Sequence, residues 1–398
     1  MRHRLRSASL PCRAGISFVL VLFAVPLAPG TARAEPECAP AAKDSVAGVP
    51  WAQQRLAPEQ AWGLTRGGGE LVAVVGTGVS SGAPALKGSV LAGRDVRTGG
   101  RADSDCPGHG TFVAGLIAAS PQPKQGLAGV APAARILPVR VTDDQDDVDA
   151  AMLARGIRAA VDGGAGVVAV TVSAGSGTKA LRAAVAYAKK HDVVLVASTD
   201  RPSTLTSDST VAYPAALPGV LAVASVSAEG SVSNAAGSGR PLLAAPGENL
   251  ISVAPKGSGQ VSAGGSGVAT GFAAGAAALV RAYRPDLTAP QVIARLEATA
   301  DHPSGDLPDA GLGYGIVDPT SAVTTDLTSE EDYRADSLVS PVLDVPLATS
   351  PDTGPRSVAL LVSGVALGST TLVALVFSLV REARRRRRQP VPVPSGGS

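Results

Sequence analysis

One of the four histidines in this 398-residue chain stands in a setting that suits chemistry. His109 lies between two glycines in Cys106-Pro107-Gly108-His109-Gly110-Thr111. A glycine on each side lets the backbone bring an imidazole to a helix start, and the small residues after it let that helix pack closely. Such an imidazole can act as a general base, although a histidine between glycines is by itself more often a loop residue. Three other short segments follow apolar runs: Gly76-Thr77-Gly78 after Val75, Ser173-Ala174-Gly175 after Val172, and Ser198-Thr199-Asp200 after Ala197. Parallel sheets carry their chemistry in the loops that leave strand ends. No metal and no cofactor is expected.

The elements that must position these residues are legible as alternating runs. Leu71–Val75, Ile136–Val141, Val167–Val172, Val193–Ala197 and Val220–Ala224 read as strands. Gly110–Ala119, Ala150–Asp162, Thr178–Lys190 and the Ala-rich Val268–Tyr283 read as helices. Continuous Val/Leu strands separated by helices predict an α/β fold, with a mostly parallel sheet covered by helices on both faces in three layers. No internal repeat stands out. With 45% hydrophobic and 17% charged residues, the chain is not mainly disordered.

The two ends set an expected topology. Residues 1–34 combine Arg2, Arg4 and Arg6, an apolar run from Ile16 to Val25 and a small-residue cleavage site Ala32-Arg33-Ala34, which reads as a secretory signal that would take Cys12 with it. An uncleaved anchor is the other reading. Residues 357–380 hold no charge and are long enough to cross a bilayer as a transmembrane helix. Arg381 and Arg384 to Arg388 follow at once in a basic tail, 381–398, which places the C-terminus in the cytoplasm and the body outside, as a single-pass protein of the cell membrane. Residues 323–356 are rich in acids, Pro, Ser and Thr and read as a solvated stalk. The folded domain is expected over 35–322. The terminal segments carry +5 each, so the net charge of +2 leaves −8 for the stretch between. That argues against a nucleic-acid partner. Two cysteines remain outside, Cys38 and Cys106; an oxidising compartment and an even count favour a disulfide over two free thiols.

The segment Cys106 to Gly115 resembles the histidine motif of the subtilisin-like serine peptidases (peptidase S8). Other pieces agree with it: Val72 to Val79 resembles the family's aspartate strand, and Gly129-Val130-Ala131-Pro132, Tyr213-Pro214 and Ala245-Pro246-Gly247 sit where the family has similar pieces. Gly265 to Val280 runs without a gap along the family's serine helix. Pro50 to Leu56, the C-terminal span and the cysteine before the histidine are together similar to the mycosins, membrane-anchored subtilisin-like peptidases of actinobacterial type VII secretion systems. The resemblance implies a Cys38–Cys106 pair, a subtilisin-like fold, and Ser173, Ala174 and Gly175 as a substrate-binding strand.

The departures matter as much. The family mechanism needs a Ser nucleophile, a His base, an Asp that orients it and an Asn in the oxyanion hole. The separations of 33 residues from Gly76 to His109 and 158 from His109 to Gly267 match the about 32 and about 157 of the subtilisin triad. Yet Gly76 stands at the Asp position, Gly267 at the Ser position and Asp200 at the oxyanion Asn position. Sliding the serine motif by one turn, with a deletion, puts Gly271 there instead. Only His109 survives. In subtilisin, loss of the nucleophile or base lowers turnover by roughly 10⁶. Ser266 and Ser173 are the nearest substitute nucleophiles. The expectation is a pseudopeptidase that serves as a scaffold or peptide-binding component, with the type VII secretion membrane complex or exported polypeptides as partners. The alternative is an active endopeptidase with an unconventional site.

Overall fold

The computed structural model describes residues 38–143, 148–200, 211–233 and 240–327. The expected signal, the membrane span, the basic tail and nearly all of the stalk lie outside these. No helix among the described residues is long and apolar enough to cross a membrane.

In chain order the elements are α1 (Trp51–Leu56), β1 (Leu71–Gly76), β2 (Arg94–Asp95), α2 (His109–Ala118), β3 (Arg135–Arg140), α3 (Ala150–Asp162), β4 (Val167–Val170), α4 (Lys179–Lys190) and β5 (Val194–Ser198). They continue with β6 (Leu221–Val226), β7 (Leu243–Pro246), β8 (Leu250–Val253), β9 (Gln260–Ala263), α5 (Ser266–Tyr283), α6 (Ala289–Ala298) and α7 (Pro319–Thr324). Seven strands form one sheet in the order β2-β3-β1-β4-β5-β6-β7, every pair parallel. β8 and β9 form an antiparallel hairpin.

Strand alternation sorts the core into two layers. Val72 and Val74 of β1 pack with α2 and α5 on one face. Ala73 and Val75 pack with Leu153 and Ile157 of α3 and Leu181 of α4 on the other. α3 starts where the Asp149 carboxylate accepts from the amides of Ala151 and Met152, and α4 where Thr178 caps Leu181. α5 is covered almost throughout: Ser266 to Val280 are all buried. Its small side chains allow that close approach.

The chain turns in opposite directions from β1, whose neighbours are β3 on one side and β4 on the other. A crevice at the carboxyl ends of strands beside such a switch point is the natural place for a site. Gly76 closes β1, Thr171 to Gly175 follow β4, and Asp200 follows β5, so three predicted loops open into this crevice.

One boundary differs from the sequence reading. The folded part runs past residue 322: α7 continues to Thr324, Val323 is buried, and Arg295 of α6 donates to the Ala322 and Thr325 carbonyls. The N-terminal segment is also ordered. Ala42 pairs with the loop ahead of β9, donating to Lys256 O at 3.0 Å and accepting from Gly259 N at 3.0 Å. Cys38 and Cys106 form a disulfide that joins this segment to the loop before α2.

Candidate active site

His109 is the first residue of α2, and three contacts set that helix end. The Asp105 carboxylate is buried and accepts from Gly108 N (3.0 Å), Thr111 N (2.7 Å) and Thr111 Oγ1 (2.7 Å). Thr77 Oγ1 accepts from Gly110 N at 3.0 Å. Arg140 bridges the same region by donating to the Thr77 and Ser104 carbonyls. Gly110 has no space for a side chain, because a Cβ there would run into the Gly78 carbonyl. The half-buried imidazole therefore projects from a rigid helix start, and its Nε2 lies 3.3 Å from the Thr171 carbonyl oxygen.

The structure brings the predicted positions into one crevice. A Cβ on Gly267 would stand 3.3 Å from His109 Nε2, so a side chain at 267 would meet the imidazole. A Cβ on Gly271 would instead meet Leu116 and Val113 of α2, both at 3.2 Å, away from the imidazole. Thr171 occupies ground on both sides of the histidine. Its Oγ1 overlaps the place a Cβ on Gly76 would take, and its carbonyl lies 2.6 Å from the place a Cβ on Gly267 would take. Sequence reasoning gave Thr171 no part; its position one residue beyond β4 was the only available signal.

Asp200 sits at the N-terminus of α5. Its Oδ2 accepts from Ser266 N and, at 3.2 Å, from Gly267 N. Its own amide donates to Ser266 Oγ at 2.8 Å and Ser198 Oγ at 3.0 Å. A carboxylate at this point takes up the amide of residue 267 and matches the positive end of the helix dipole. Its second oxygen, Oδ1, is enclosed without a hydrogen-bond partner among the described residues. Burial pushes the Asp200 carboxyl above the usual carboxylate range, against the bonds from Ser266 and Gly267 and the charge of His109.

The nearby hydroxyls are engaged elsewhere. Ser266 Oγ is fully buried, 2.6 Å from Ser198 Oγ. Ser173 is buried with its Oγ directed at the Ser198 carbonyl, 3.5 Å away. Ala174 exchanges both backbone bonds with Tyr213, at 2.9 and 3.0 Å, so one edge of this short strand is filled. The backbone groups of Ser173 and Gly175 alternate to the opposite edge. No group of three or more potential metal ligands occurs among the described residues.

The sheet, the helix that carries His109 and the long helix that carries Gly267 together define a subtilisin-like α/β protein. Residues 67–315 match the subtilase family (Peptidase_S8), and the chain belongs to that family. Within it, the chain is similar to Mycosin-3 of Mycobacterium tuberculosis (strain ATCC 25618 / H37Rv), at 35% identity over 400 aligned residues that cover 85% of each protein. It is also similar to thermitase of Thermoactinomyces vulgaris, at 35% identity over 63% of this chain and 88% of thermitase. The crystal structure of MycP1 from the ESX-1 type VII secretion system aligns with a TM-score of 0.65 and 31% identity, covering 73% of this chain and 90% of that one.

Proposed function

We propose that this protein is a membrane-anchored, extracytoplasmic pseudopeptidase that serves as a scaffold or peptide-binding component of a type VII secretion system. The observation that carries this reading is the side-chain-free Gly267 facing His109 Nε2. A hydrolase of this family needs a nucleophile there, and Gly76 offers no carboxylate to orient the base. Asp200 adds a second obstacle. Its carboxylate takes the Gly267 amide that a developing oxyanion would need, and its charge opposes that of the intermediate. Ser266 and Ser173 are buried in other bonds, which disfavours a substitute nucleophile.

What remains suits holding a chain rather than cutting it. The edge at Ser173 and Gly175, which no backbone bond fills among the described residues, can take an extended peptide by strand addition. The secretion setting rests on the similarity to mycosins, one of which, MycP1, is described as an essential component of the ESX-1 system. The single-pass topology rests on the apolar stretch 357–380 and the arginines after it.

The test is fluorophosphonate labelling of native membranes, combined with co-purification. We expect no labelling of the unaltered protein, and recovery together with other components of a secretion complex. Stoichiometric labelling that His109→Ala abolishes would overturn the pseudopeptidase reading. Recovery of the protein alone would overturn the scaffold reading.

A further inference from the structure

Away from the candidate active site, a groove of about 760 Å³ opens at the β2–β3 border of the sheet, beside α3. Leu91, Val96 and Leu137 line its floor, and Arg94, Arg155 and Arg158 stand along it. Arg155 and Arg158 are three residues apart on α3 and so share a face. None of these three exposed arginines forms an ion pair among the described residues, although their neighbours do. Arg97 is bonded to Asp95 and Asp143, and Arg101 to Asp103. The two helix arginines are nevertheless partly ordered. Arg158 lies 4.8 Å over the Tyr187 ring, and Arg155 reaches Met152 Sδ at 3.2 Å. Tyr187 also donates to Asp162, the one carboxylate among the described residues that line the groove, at 2.8 Å.

We propose that this groove binds an acidic polypeptide segment of a partner protein. Asp or Glu side chains would pair with Arg94, Arg155 and Arg158, and an apolar side chain would rest on the floor. Guanidinium groups suit this role because their planar fork matches a carboxylate. The charge balance favours a single chain over a membrane surface. Residues 35–380 carry a net −8, which opposes close approach to an anionic bilayer. A narrow acidic segment can enter the local positive field without meeting the rest of the surface. Side chains, not strand pairing, would hold it, because the Asp95 amide at the border already donates to Gly100 O at 2.8 Å.

The test uses the full chain in detergent and a fluorescein-labelled peptide of twelve residues, Glu and Asp with two leucines. Anisotropy should show binding that weakens with salt, and no binding of the matched Lys peptide. Arg155→Glu with Arg158→Glu should weaken it about tenfold or more, the scale of about 1.4 kcal/mol or more. Arg155→Met with Arg158→Met, which keeps the stems, should also weaken it. Lys43→Glu with Lys256→Glu, an equal charge change at exposed sites elsewhere, should leave it intact. Failure of the parent to bind the peptide would overturn the proposal, as would equal binding by the reversed variant or an equal loss in the Lys43/Lys256 control. It would also fall if short-chain phosphatidylserine, and not the peptide, protected Arg155 and Arg158 from phenylglyoxal, which would assign the groove to a lipid headgroup.

Discussion

Two helix N-termini face the candidate active site, and each is capped by an aspartate outside its own helix. Asp105 caps α2 with both oxygens in use, one for Gly108 N and the other for Thr111 N and Oγ1. Asp200 caps α5 with one oxygen alone, and its Oδ1 is buried without a hydrogen-bond partner among the described residues. The first arrangement holds a histidine in position. The second spends the amide of residue 267 on the protein's own carboxylate. The same physical device, an anion at a helix start, thus fixes a histidine at one end of the crevice and takes up a backbone amide at the other.

The largest expected effect comes from reversing the second arrangement. Gly76→Asp, Asp200→Asn and Gly267→Ser together should convert an unlabelled protein into one that reacts with a fluorophosphonate, and His109→Ala in that background should abolish the reaction. Single repairs should give almost nothing, because triad residues act as a unit. The structure adds a condition. Thr171 Oγ1 overlaps the space that any side chain added at Gly76 must enter, so Thr171→Ala should raise labelling of the triple variant. A folded triple variant that stays inert while Gly271→Ser labels would put the nucleophile one turn further along α5.

The next effect tests the first cap. Asp105→Ala leaves the Gly108 amide and both Thr111 donors without their acceptor in a buried place, so stability should fall by about 2–4 kcal/mol. Urea unfolding of the full chain in detergent measures it. A loss under about 0.5 kcal/mol, the range of a neutral surface change, would mean that α2 does not depend on this carboxylate.

The smallest effect separates the two caps by pH. Asp200 has a raised native pKa against an ordinary value of 3.8, chiefly through burial. A raised carboxylate favours the folded state while protonated, and that advantage is lost as pH rises from the unfolded pKa through the native one. Asp200→Asn does not ionise, so the stability of this variant relative to the parent should climb with pH from about 4 upward. Thermal midpoints measured from pH 4 to 8 read this directly. A difference that stays flat or falls with pH would mean that Asp200 gains more from its two amides than burial takes away.

The sheet was largely readable because its central strands are buried on both faces. Val72 to Val75, Val167 to Val170 and Val194 to Ala197 are unbroken apolar runs, and such runs have few alternatives. β7 was hidden by its closing proline, and β8 and β9 by their shortness. α6 had a signature that went unread, a Thr288 and Gln291 capping box with a proline in the first turn. In the crevice, motif spacing picks out Gly76, His109 and Gly267, and the fold puts Gly267 against His109. It could not locate partners that arrive from distant parts of the chain. The bonds from Asp200 to Ser266 and Gly267 span 66 and 67 residues, and the approach of Thr171 to His109 spans 62. Asp105 has the residue type of a helix cap, but Cys106, Pro107 and Gly108 separate it from the first residue of α2, a spacing at which capping is not legible from sequence.

Gly267 is also the first of three glycines spaced four apart on α5, with Gly271 against Leu116 and Val113 and Gly275 against Val130. Each glycine lowers helix propensity by about 1 kcal/mol relative to alanine, so an isolated segment of this length would hardly persist as a helix in water. α5 therefore owes its stability to packing against α2 and the sheet. The crevice is complete only where α5, as far as Tyr283, is in place. A partner that reads this crevice would recognise finished domains and pass over nascent or partly unfolded ones.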